Sequence, residues 1–301
     1  MNLKEIEYIV KISEEGSIAR AAGKLFITPS ALTQQLLHLE KEIGTPLFFR
    51  SRNGWTPTEA GEVYLDAARQ VLRIKRDTYA RLQDITITKH GFLSIGFPPE
   101  RGAALFTSVY PAFHQVYPGI VVNVAEVSVR RQQLMIARGD LDIGFMNLCE
   151  WQRSEDDYQI IGKEEMLIVL PAGHPLCGAA VPDDQGQYPV LPLKALSQES
   201  FALMSRESTV RDFAENYFRQ LNFHPNILFE TARANTIIDM VAANMCCGII
   251  PSYYTRTKHP EVSYFSLPDH PMWDITVCHK KGSYLSQAAR YFIELAKEYW
   301  S

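Results

Sequence analysis

The segment from Ser17 to Thr56 limits the possible folds more than any other part of the chain. Ser17 is a predicted N-cap of a short helix, and Thr28 followed by Pro29 is predicted to begin a second helix that runs to Ile43. At about 100° per residue, one face of this second helix gathers four apolar side chains, namely Leu32, Leu36, Leu39 and Ile43. Two successive helices, the second of them amphipathic, predict a helix-turn-helix.

The opposite face of the second helix is polar. This face carries Ser30, Thr33, Gln34, Leu37 and Lys41, with His38 at its flank. A glutamine amide offers the paired donor and acceptor that match adenine, and short hydroxyls can bond bases or phosphates. This face therefore predicts contacts in the major groove of DNA. An ordinary solvent-exposed helix face is the alternative.

A short basic hairpin is predicted after the second helix. Gly44-Thr45-Pro46 ends the helix, and residues 47–50 and 54–56 can pair as two strands. Arg50 and Arg52 would then lie at the tip, against phosphate or a minor groove. Helix, turn, helix and basic hairpin together indicate a winged helix-turn-helix, with solvated arginines as the alternative interpretation of the tip.

A long helix is predicted from the Thr56-Pro57-Thr58-Glu59 capping pattern to about Ile85. Five side chains at heptad-like positions form its stripe: Tyr64, Ala67, Val71, Ile74 and Thr78. One helix cannot bury such a stripe alone, so the pattern predicts a dimer seam that places two reading helices on two half-sites. Packing of the stripe against its own domain is the alternative.

An ordered series of motifs in this region resembles the LysR-type transcriptional regulators. The motifs are Gly16-Ser17-Ile18-Ala19-Arg20-Ala21-Ala22, Pro29-Ser30-Ala31-Leu32-Thr33-Gln34-Gln35-Leu36, Leu39-Glu40-Lys41-Glu42-Ile43-Gly44-Thr45-Pro46-Leu47-Phe48-Phe49-Arg50 and Thr58-Glu59-Ala60-Gly61. The resemblance implies a bacterial homodimer or homotetramer that binds double-stranded DNA and is modulated by a small-molecule effector, with RNA polymerase as a further candidate partner. The predicted DNA-binding residues are Ser17, Arg20, Thr28, Pro29, Ser30, Thr33, Gln34, His38, Arg50 and Arg52.

The reading helix departs from the family where Gln34, Leu37 and His38 stand, because basic residues are frequent there. The charge balance is consistent with a local DNA surface. The net charge is −4, yet the first 90 residues hold 13 Lys/Arg against 11 Asp/Glu. A composition of 46% hydrophobic and 21% charged residues excludes a disordered chain. The chain contains no long apolar run, and its start lacks a signal-peptide pattern, so we expect a cytoplasmic protein with no membrane partner.

The last two hundred residues alternate predicted strands and helices, which indicates an α/β fold with parallel strands. By resemblance this part is a two-lobed effector domain of periplasmic-binding-protein type, whose exchange strands leave a cleft. The predicted domains are a winged helix-turn-helix at 1–57, a linker helix and hinge at 58–90, and an effector-binding domain at 91–301. Lobe I is expected at about 91–163 and 268–301, and lobe II at about 164–267.

Candidate effector residues follow from the rule that ligands gather beyond the carboxyl ends of strands in open α/β sheets. They are Pro99, Glu100, Arg101, Ser128, Asn147, Ser205, Thr209 and Thr231. Ser128 and Thr209 stand at predicted helix N-termini, which favour an anion, and Arg101 could hold a carboxylate. Glu100 leaves room for a zwitterionic ligand. Plain helix capping and a solvated loop charge are the alternatives.

An enzyme is not expected. The sequence contains no dinucleotide-binding glycine motif, phosphate loop or nucleophile elbow, and its histidines show no metal spacing. The five cysteines have no paired spacing, so neither a metal nor another cofactor is predicted, and reduced buried thiols are the simplest interpretation. A solute-binding protein would explain the last two hundred residues but not the winged helix-turn-helix.

Overall fold

The computed structural model describes residues 2–51, 54–86, 90–183, 186–257 and 259–300. The chain divides into two compact units. The first comprises Met1–Gly91 with Arg138–Asp140, and the second comprises Phe92–Ala137 with Leu141–Ser301. None of the helices in these described ranges is long and apolar enough to cross a bilayer.

The first unit has the predicted order of helices and hairpin. Its elements are α1 (Leu3–Glu15), α2 (Ile18–Lys24), α3 (Pro29–Ile43), β1 (Phe48–Ser51), β2 (Gly54–Pro57) and α4 (Glu59–Thr86). Ser17 and Thr28 are the N-caps of α2 and α3, as the sequence predicts, and β1 pairs antiparallel with β2. The winged helix-turn-helix arrangement is therefore confirmed.

The core of the first unit shows that the alternative interpretation of α4 is partly right. Leu65 and Ala68 are fully buried against α1–α3, and Tyr64 and Val71 pack on the same cluster. Of the predicted seam residues, the ones that remain exposed are Ala67, Ile74 and Thr78. The first turns of α4 thus help to close its own domain, and the dimer seam stays a prediction. Ile43, predicted on the buried face of α3, is 42% exposed.

The second unit is built on one large mixed sheet. Its elements are β3 (His90–Phe97), α5 (Arg101–Val116), β4 (Gly119–Glu126), α6 (Val129–Arg138), β5 (Ile143–Leu148), β6 (Asp157–Pro171), β7 (Ser200–Met204), α7 (Thr209–Gln220), β8 (Asn226–Thr231), α8 (Ala234–Ala242), β9 (Cys247–Pro251), β10 (Val262–Ser266), β11 (Met272–His279) and α9 (Gln287–Trp300). The strand order is β4-β3-β5-β11-β6-β9-β7-β8, with β10 also paired to β6.

Strand β6 joins the two halves of this sheet. Residues 157–165 pair with β11, and residues 166–169 pair with β9. The first half, with α5, α6 and α9, is lobe I; the second half, with α7 and α8, is lobe II. Pairing is parallel between β3 and β5 and between β7 and both β8 and β9, whereas β11 and β6 pair antiparallel. The parallel prediction is right within the βαβ units and wrong for the strands that cross between them.

Each lobe has its own apolar core. In lobe I, Phe97, Phe113 and Phe292 are fully buried, and the Phe97 ring stacks on Phe145 at 5.2 Å between centroids. In lobe II, Phe201 lies at the centre of the cluster that α7 covers. Because each lobe buries its own aromatic residues, the polar side chains at the strand ends are left free to form a cleft between the lobes.

Candidate functional site

The polar face of α3 is exposed, as predicted. Of the predicted DNA-binding residues, the exposed ones are Arg20, Thr28, Pro29, Ser30, Gln34, His38 and Arg50, and the half-buried ones are Ser17 and Thr33. Arg52 lies outside the described residues. The predicted residues therefore gather on the surfaces formed by α2, by the start of α3 and by the hairpin.

Several hydroxyls on this surface already serve the helices that carry them. The Ser17 Oγ accepts from the Arg20 N–H at 3.4 Å, and the Thr28 Oγ1 accepts from the Ala31 N–H at 3.2 Å. The Thr33 hydroxyl donates to the Pro29 carbonyl at 2.8 Å. The Gln34 amide, in contrast, has no hydrogen-bond partner in the described part of the chain. Both the donor and the acceptor of the Gln34 amide are therefore unused within the described residues.

Glu40 positions the hairpin, a role that the sequence did not reveal. Its side chain is nearly buried, and Oε1 accepts from the Leu47 N–H at 2.8 Å. Its Oε2 lies 3.4 Å from the Arg50 guanidinium, which also stacks over the Trp55 ring at 4.9 Å. Arg50 is thus held on both sides, so it presents a preorganised cation rather than a freely moving one.

A cavity of about 530 Å³ lies between the two lobes. Seven of the eight predicted effector residues line it: Pro99, Glu100, Arg101, Ser128, Asn147, Ser205 and Thr209. Thr231 is not among the lining residues; its carbonyl accepts from the Ser205 N–H at 2.7 Å, and its Oγ1 accepts from the Arg233 N–H at 3.3 Å. Thr231 therefore supports the wall of the cavity from behind.

The N-termini of α6 and α7 border the cavity from opposite lobes. The Ser128 Oγ accepts from the Arg131 N–H at 3.4 Å, so Ser128 caps α6. Thr209, at the start of α7, donates its hydroxyl across the cleft to the Asn147 carbonyl at 2.9 Å. Ser128 therefore caps its helix while lining the cavity, and Thr209 joins the lobes. Two helix N-termini that border one cavity favour an anionic group in it.

Asn147 lines the same cavity and carries an unmatched donor. Its side chain is 6% exposed, and its Nδ2 has no partner among the described residues. Buried amide groups in proteins are almost always hydrogen-bonded. The buried Nδ2 of Asn147 therefore lacks the acceptor that an oxygen atom would supply.

Glu100 has a strained backbone and reaches across the cleft. Its φ is +65°, and the Arg101 N–H donates to the Pro99 carbonyl at 2.9 Å, which closes a γ-turn. Its Oε2 accepts from the Ala234 N–H at 3.3 Å and from the Tyr254 hydroxyl at 3.2 Å. Burial raises the pKa of Tyr254, so its hydroxyl remains a donor. Backbone strain of this kind concentrates at functional sites.

Arg101 makes the bidentate carboxylate contact that the sequence suggested, but with Glu164 of the same chain. Both side chains are 6% exposed, and Nη1 donates to Oε1 at 2.8 Å while Nη2 donates to Oε2. The guanidinium also stacks over Tyr253 at 4.4 Å and Trp300 at 5.1 Å. Neither a solvated loop charge nor a free ligand-binding cation describes Arg101, because its charge is already neutralised inside lobe I.

Additional polar contacts cross the cleft. Arg130 on α6 donates to both oxygens of Asp212 on α7 at 2.7 Å, and the Gln152 amide donates to the Thr209 carbonyl at 3.2 Å. These residues are far apart in sequence and carry no local motif, so sequence reasoning missed them. They hold the lobes in the arrangement that encloses the cavity.

Two family models match this chain over most of its length. The "Bacterial regulatory helix-turn-helix protein, lysR family" model matches residues 3–62, and the "LysR substrate binding domain" model matches residues 88–301. The chain belongs to the LysR family. This regulator is therefore a sequence-specific DNA-binding protein with an effector-binding domain, and the prediction that it is not an enzyme is confirmed.

Curated relatives resemble this LysR regulator along almost the whole chain. The uncharacterized HTH-type transcriptional regulator YcgK of Bacillus subtilis is 28% identical, over 99% of this chain and 94% of that protein. The Hca operon transcriptional activator HcaR of Escherichia coli is 25% identical, over 99% of this chain and 98% of that protein.

Solved structures share the fold of this LysR regulator. A full-length OxyR variant from Pseudomonas aeruginosa has a TM-score of 0.72 at 22% identity, covering 100% of this chain and 97% of that one. Full-length CbnR complexed with its target DNA has a TM-score of 0.59 at 18% identity, covering 99% of both chains.

Four of the five cysteines of this LysR regulator are not activated thiols. Burial raises the pKa of Cys149 to about 11 and of Cys278 to about 12, and it also raises the pKa of Cys246 and of Cys247. Redox-sensing cysteines have a lowered pKa and are accessible. These four thiols stay protonated at neutral pH. The described residues also hold no cluster of side chains that could bind a metal ion.

Proposed function

We propose that this LysR regulator works as a homodimer or homotetramer that reads operator DNA with α3 and the hairpin, and that it senses a small anionic or zwitterionic metabolite in the cavity between its lobes. It would act in the cytoplasm and pass its signal to RNA polymerase. The observation that carries the proposal is the presence, in one chain, of an exposed polar face on the reading helix and of a cavity that two helix N-termini border.

The DNA-binding role of α3 rests on the unpaired amide of Gln34. A glutamine bonded to adenine through both its donor and its acceptor discriminates against other bases by about 1–3 kcal/mol. Arg50 and Arg52, in contrast, would contact phosphates, which contribute affinity without sequence preference. The two kinds of residue should therefore respond differently to substitution.

Replacing Gln34 with alanine is expected to reduce discrimination between the operator and random DNA by about tenfold, while random-sequence affinity stays near that of the wild type. Fluorescence anisotropy with the full chain measures both affinities at several salt concentrations. Arg52→Ala is expected to weaken binding to every sequence and to lower the salt slope by about 1.

Gln220→Ala is the matched control, because Gln220 is an exposed glutamine at the end of α7 in lobe II. Its DNA binding should equal that of the wild type. Equal losses on operator and random DNA for Gln34→Ala would contradict the base-reading role.

The dimer rests on the apolar surface that α4 leaves uncovered. Ala67, Ile74 and Thr78 are exposed, and Ile74 retains 62% of its accessible surface. An apolar groove of about 680 Å³ lies beside the start of α4, lined by residues that include Ile43 and Val63. A second copy of the chain would cover this surface and place two reading helices on two half-sites.

The chemistry of the cavity supports an anionic group on the ligand. The N-termini of α6 and α7 and the unpaired Asn147 Nδ2 are all positive or hydrogen-donating. The Glu100 carboxylate faces the same cavity, and its Oε2 already bonds Ala234 and Tyr254. The second oxygen of Glu100 has no hydrogen-bond partner among the described residues, so an ammonium group can bind it, which favours a zwitterion over a simple acid.

A ligand that binds one lobe arrangement better than another shifts the population toward that arrangement. Thr209–Asn147 and Arg130–Asp212 are the contacts that would change, because they join the lobes at the cavity rim. We infer that this change alters operator affinity or contact with polymerase.

Replacing Asn147 with aspartate is expected to lower the affinity for the ligand by at least about tenfold, or about 1.4 kcal/mol, because a hydrogen-bond donor is replaced by a negative charge that faces the ligand anion. Thermal shift of the full chain, screened with amino acids and their deaminated acids, identifies a binder, and calorimetry measures the affinity. The amino acid is expected to bind more tightly than its deaminated acid.

Asn123→Asp adds the same charge at an exposed position of β4 and should leave binding unchanged. Undiminished affinity for Asn147→Asp would contradict an anion at this place in the cavity. Equal binding of an amino acid and its deaminated acid would contradict the role of Glu100.

A further inference from the structure

Phe26 lies in the turn between α2 and α3, and the residue is 96% exposed. Leu25 and Ile27, on either side of it, are half-buried against the core of the first unit. An aromatic side chain stabilises a fold by leaving water, and this one does not leave water. The aromatic ring therefore does not stabilise the domain in this structure.

The backbone at Phe26 is also unfavourable for a phenylalanine. Its φ is +54°, in the left-handed region. The Ile27 N–H donates to the Ala22 carbonyl at 3.1 Å and the Phe26 N–H donates to the Gly23 carbonyl at 3.4 Å, which is the Schellman pattern that ends a helix. Glycine is the favoured residue at this position, because a Cβ is disfavoured there. The backbone conformation disfavours a phenylalanine at this position, and the exposed ring adds no stability. A residue in this situation suggests a function.

The place of Phe26 in the fold indicates what it contacts. It precedes Thr28, the N-cap of α3, by two residues, and Thr28, Pro29 and Ser30 are all exposed. In helix-turn-helix proteins the N-terminal residues of the recognition helix approach the base edges. Phe26 thus stands next to the end of α3 that enters the groove.

The residues around Phe26 favour DNA over an apolar protein partner. Its exposed neighbours along the chain include four cationic or hydroxyl-bearing residues, Arg20, Lys24, Thr28 and Ser30, together with the small or apolar Ala19, Gly23, Pro29 and Ala31. Protein-binding surfaces are contiguous apolar patches with few charges at their centre. One aromatic ring among cations and hydroxyls instead matches duplex DNA, which offers phosphates beside apolar thymine methyl groups and sugar faces.

We propose that Phe26 makes an apolar contact with operator DNA, either with a thymine methyl group or with the face of a deoxyribose. The contact rests on the proposed DNA-reading role of α3 and adds to it a residue that no hydrogen-bonding rule would select. Phe26 thus increases the affinity for DNA and lowers the stability of the free protein.

The test compares Phe26→Gly and Phe26→Leu with the wild type as full chains. The probe is a duplex selected by the wild type from a random-sequence pool, together with the same duplex carrying uracil in place of thymine. Phe26→Gly is expected to bind the thymine duplex about tenfold more weakly, a change of about 1.4 kcal/mol, while its urea unfolding midpoint rises because the left-handed strain is relieved. Phe26→Leu is expected to keep most of the affinity, since it retains apolar bulk.

The uracil duplex distinguishes the two contacts. If Phe26 contacts a thymine methyl group, the wild type binds the uracil duplex more weakly than the thymine duplex, whereas Phe26→Gly binds both duplexes equally. If Phe26 contacts a sugar face, replacing thymine with uracil changes the affinity of both proteins equally, and Phe26→Gly stays weaker than the wild type on both duplexes. If Phe26→Gly binds the duplex as tightly as the wild type does, the proposal is overturned. Lost activation by this variant in a reporter assay would then assign Phe26 to a protein partner. A lower unfolding midpoint for Phe26→Gly overturns the strain argument. Failure of the wild type to select any duplex would instead contradict the DNA-reading role itself.

Discussion

Replacing Gly61 with alanine is expected to displace the hairpin of the DNA-binding unit and abolish binding to duplex DNA. A Cβ at this position would lie 2.0 Å from the Leu47 carbonyl oxygen and 3.0 Å from its carbon. Both atoms belong to the backbone at the start of β1, so the clash cannot be relieved by the rotation of a flexible side chain. The same carbonyl accepts from the Thr58 N–H at 2.9 Å, which ties β1 to the start of α4.

The expected cost of Gly61→Ala is about 3 kcal/mol, at the upper end of what overpacking usually costs. Hydrogen exchange of the full chain measures it, because peptides that cover residues 44–62 should lose protection while those of lobe II do not. DNA binding is measured by anisotropy. Glycine is therefore required at the point where helix α4 crosses the hairpin.

Gly23→Ala is the matched control within the same unit. Gly23 lies in α2, it is exposed, and a Cβ there would meet nothing within 4 Å. Alanine should stabilise α2 by about 0.5–1 kcal/mol because it lowers the entropy lost on folding. If the Gly61→Ala protein is as well protected from hydrogen exchange as the Gly23→Ala protein, the hairpin and α4 can separate without loss of the fold.

The elements of the DNA-binding unit could be predicted because their signals are local. Thr28-Pro29 begins α3 at the predicted residue, and Gly44 ends it, so the predicted bounds of the reading helix are those observed. Caps and helical periodicity act over a few residues and are therefore readable in one sequence. The role of Glu40 was missed because its partners, Leu47 and Arg50, lie beyond the end of its own helix.

The effector domain shows where local signals end. The apolar run at residues 166–170 predicts a strand of that length alone, whereas β6 begins at Asp157. Residues 157–165 include charged residues and a glycine, so they give no local strand signal. Their strand partner, β11, lies more than a hundred residues away in the sequence. The strand-end rule nevertheless placed seven of eight candidate residues at the cavity, since it depends on topology rather than on the ligand.

Replacing Glu164 with glutamine is expected to destabilise the effector-binding unit by about 3–5 kcal/mol, because it leaves the buried Arg101 charge without its carboxylate. Glutamine keeps the shape of the side chain and one acceptor, so the loss measures charge rather than packing. The guanidinium cannot turn to water, since it is 6% exposed and lies over Tyr253 and Trp300. Urea unfolding of the full chain, followed by circular dichroism, gives the free energy of unfolding.

Lys163→Met is the control for Glu164→Gln, because Lys163 is the adjacent residue of β6, its contact with Asp274 is long, at 4.0 Å, and 63% of its side chain is exposed. Loss of such a surface pair should cost less than about 1 kcal/mol. The double variant Arg101→Met, Glu164→Leu should recover most of the stability, because apolar residues of similar size can replace a buried ion pair. If it folds stably but no longer responds to the ligand, the ion pair shapes the Glu100 turn and the cavity wall. If Glu164→Gln is as stable as Lys163→Met, the Arg101 charge is not buried as the structure shows.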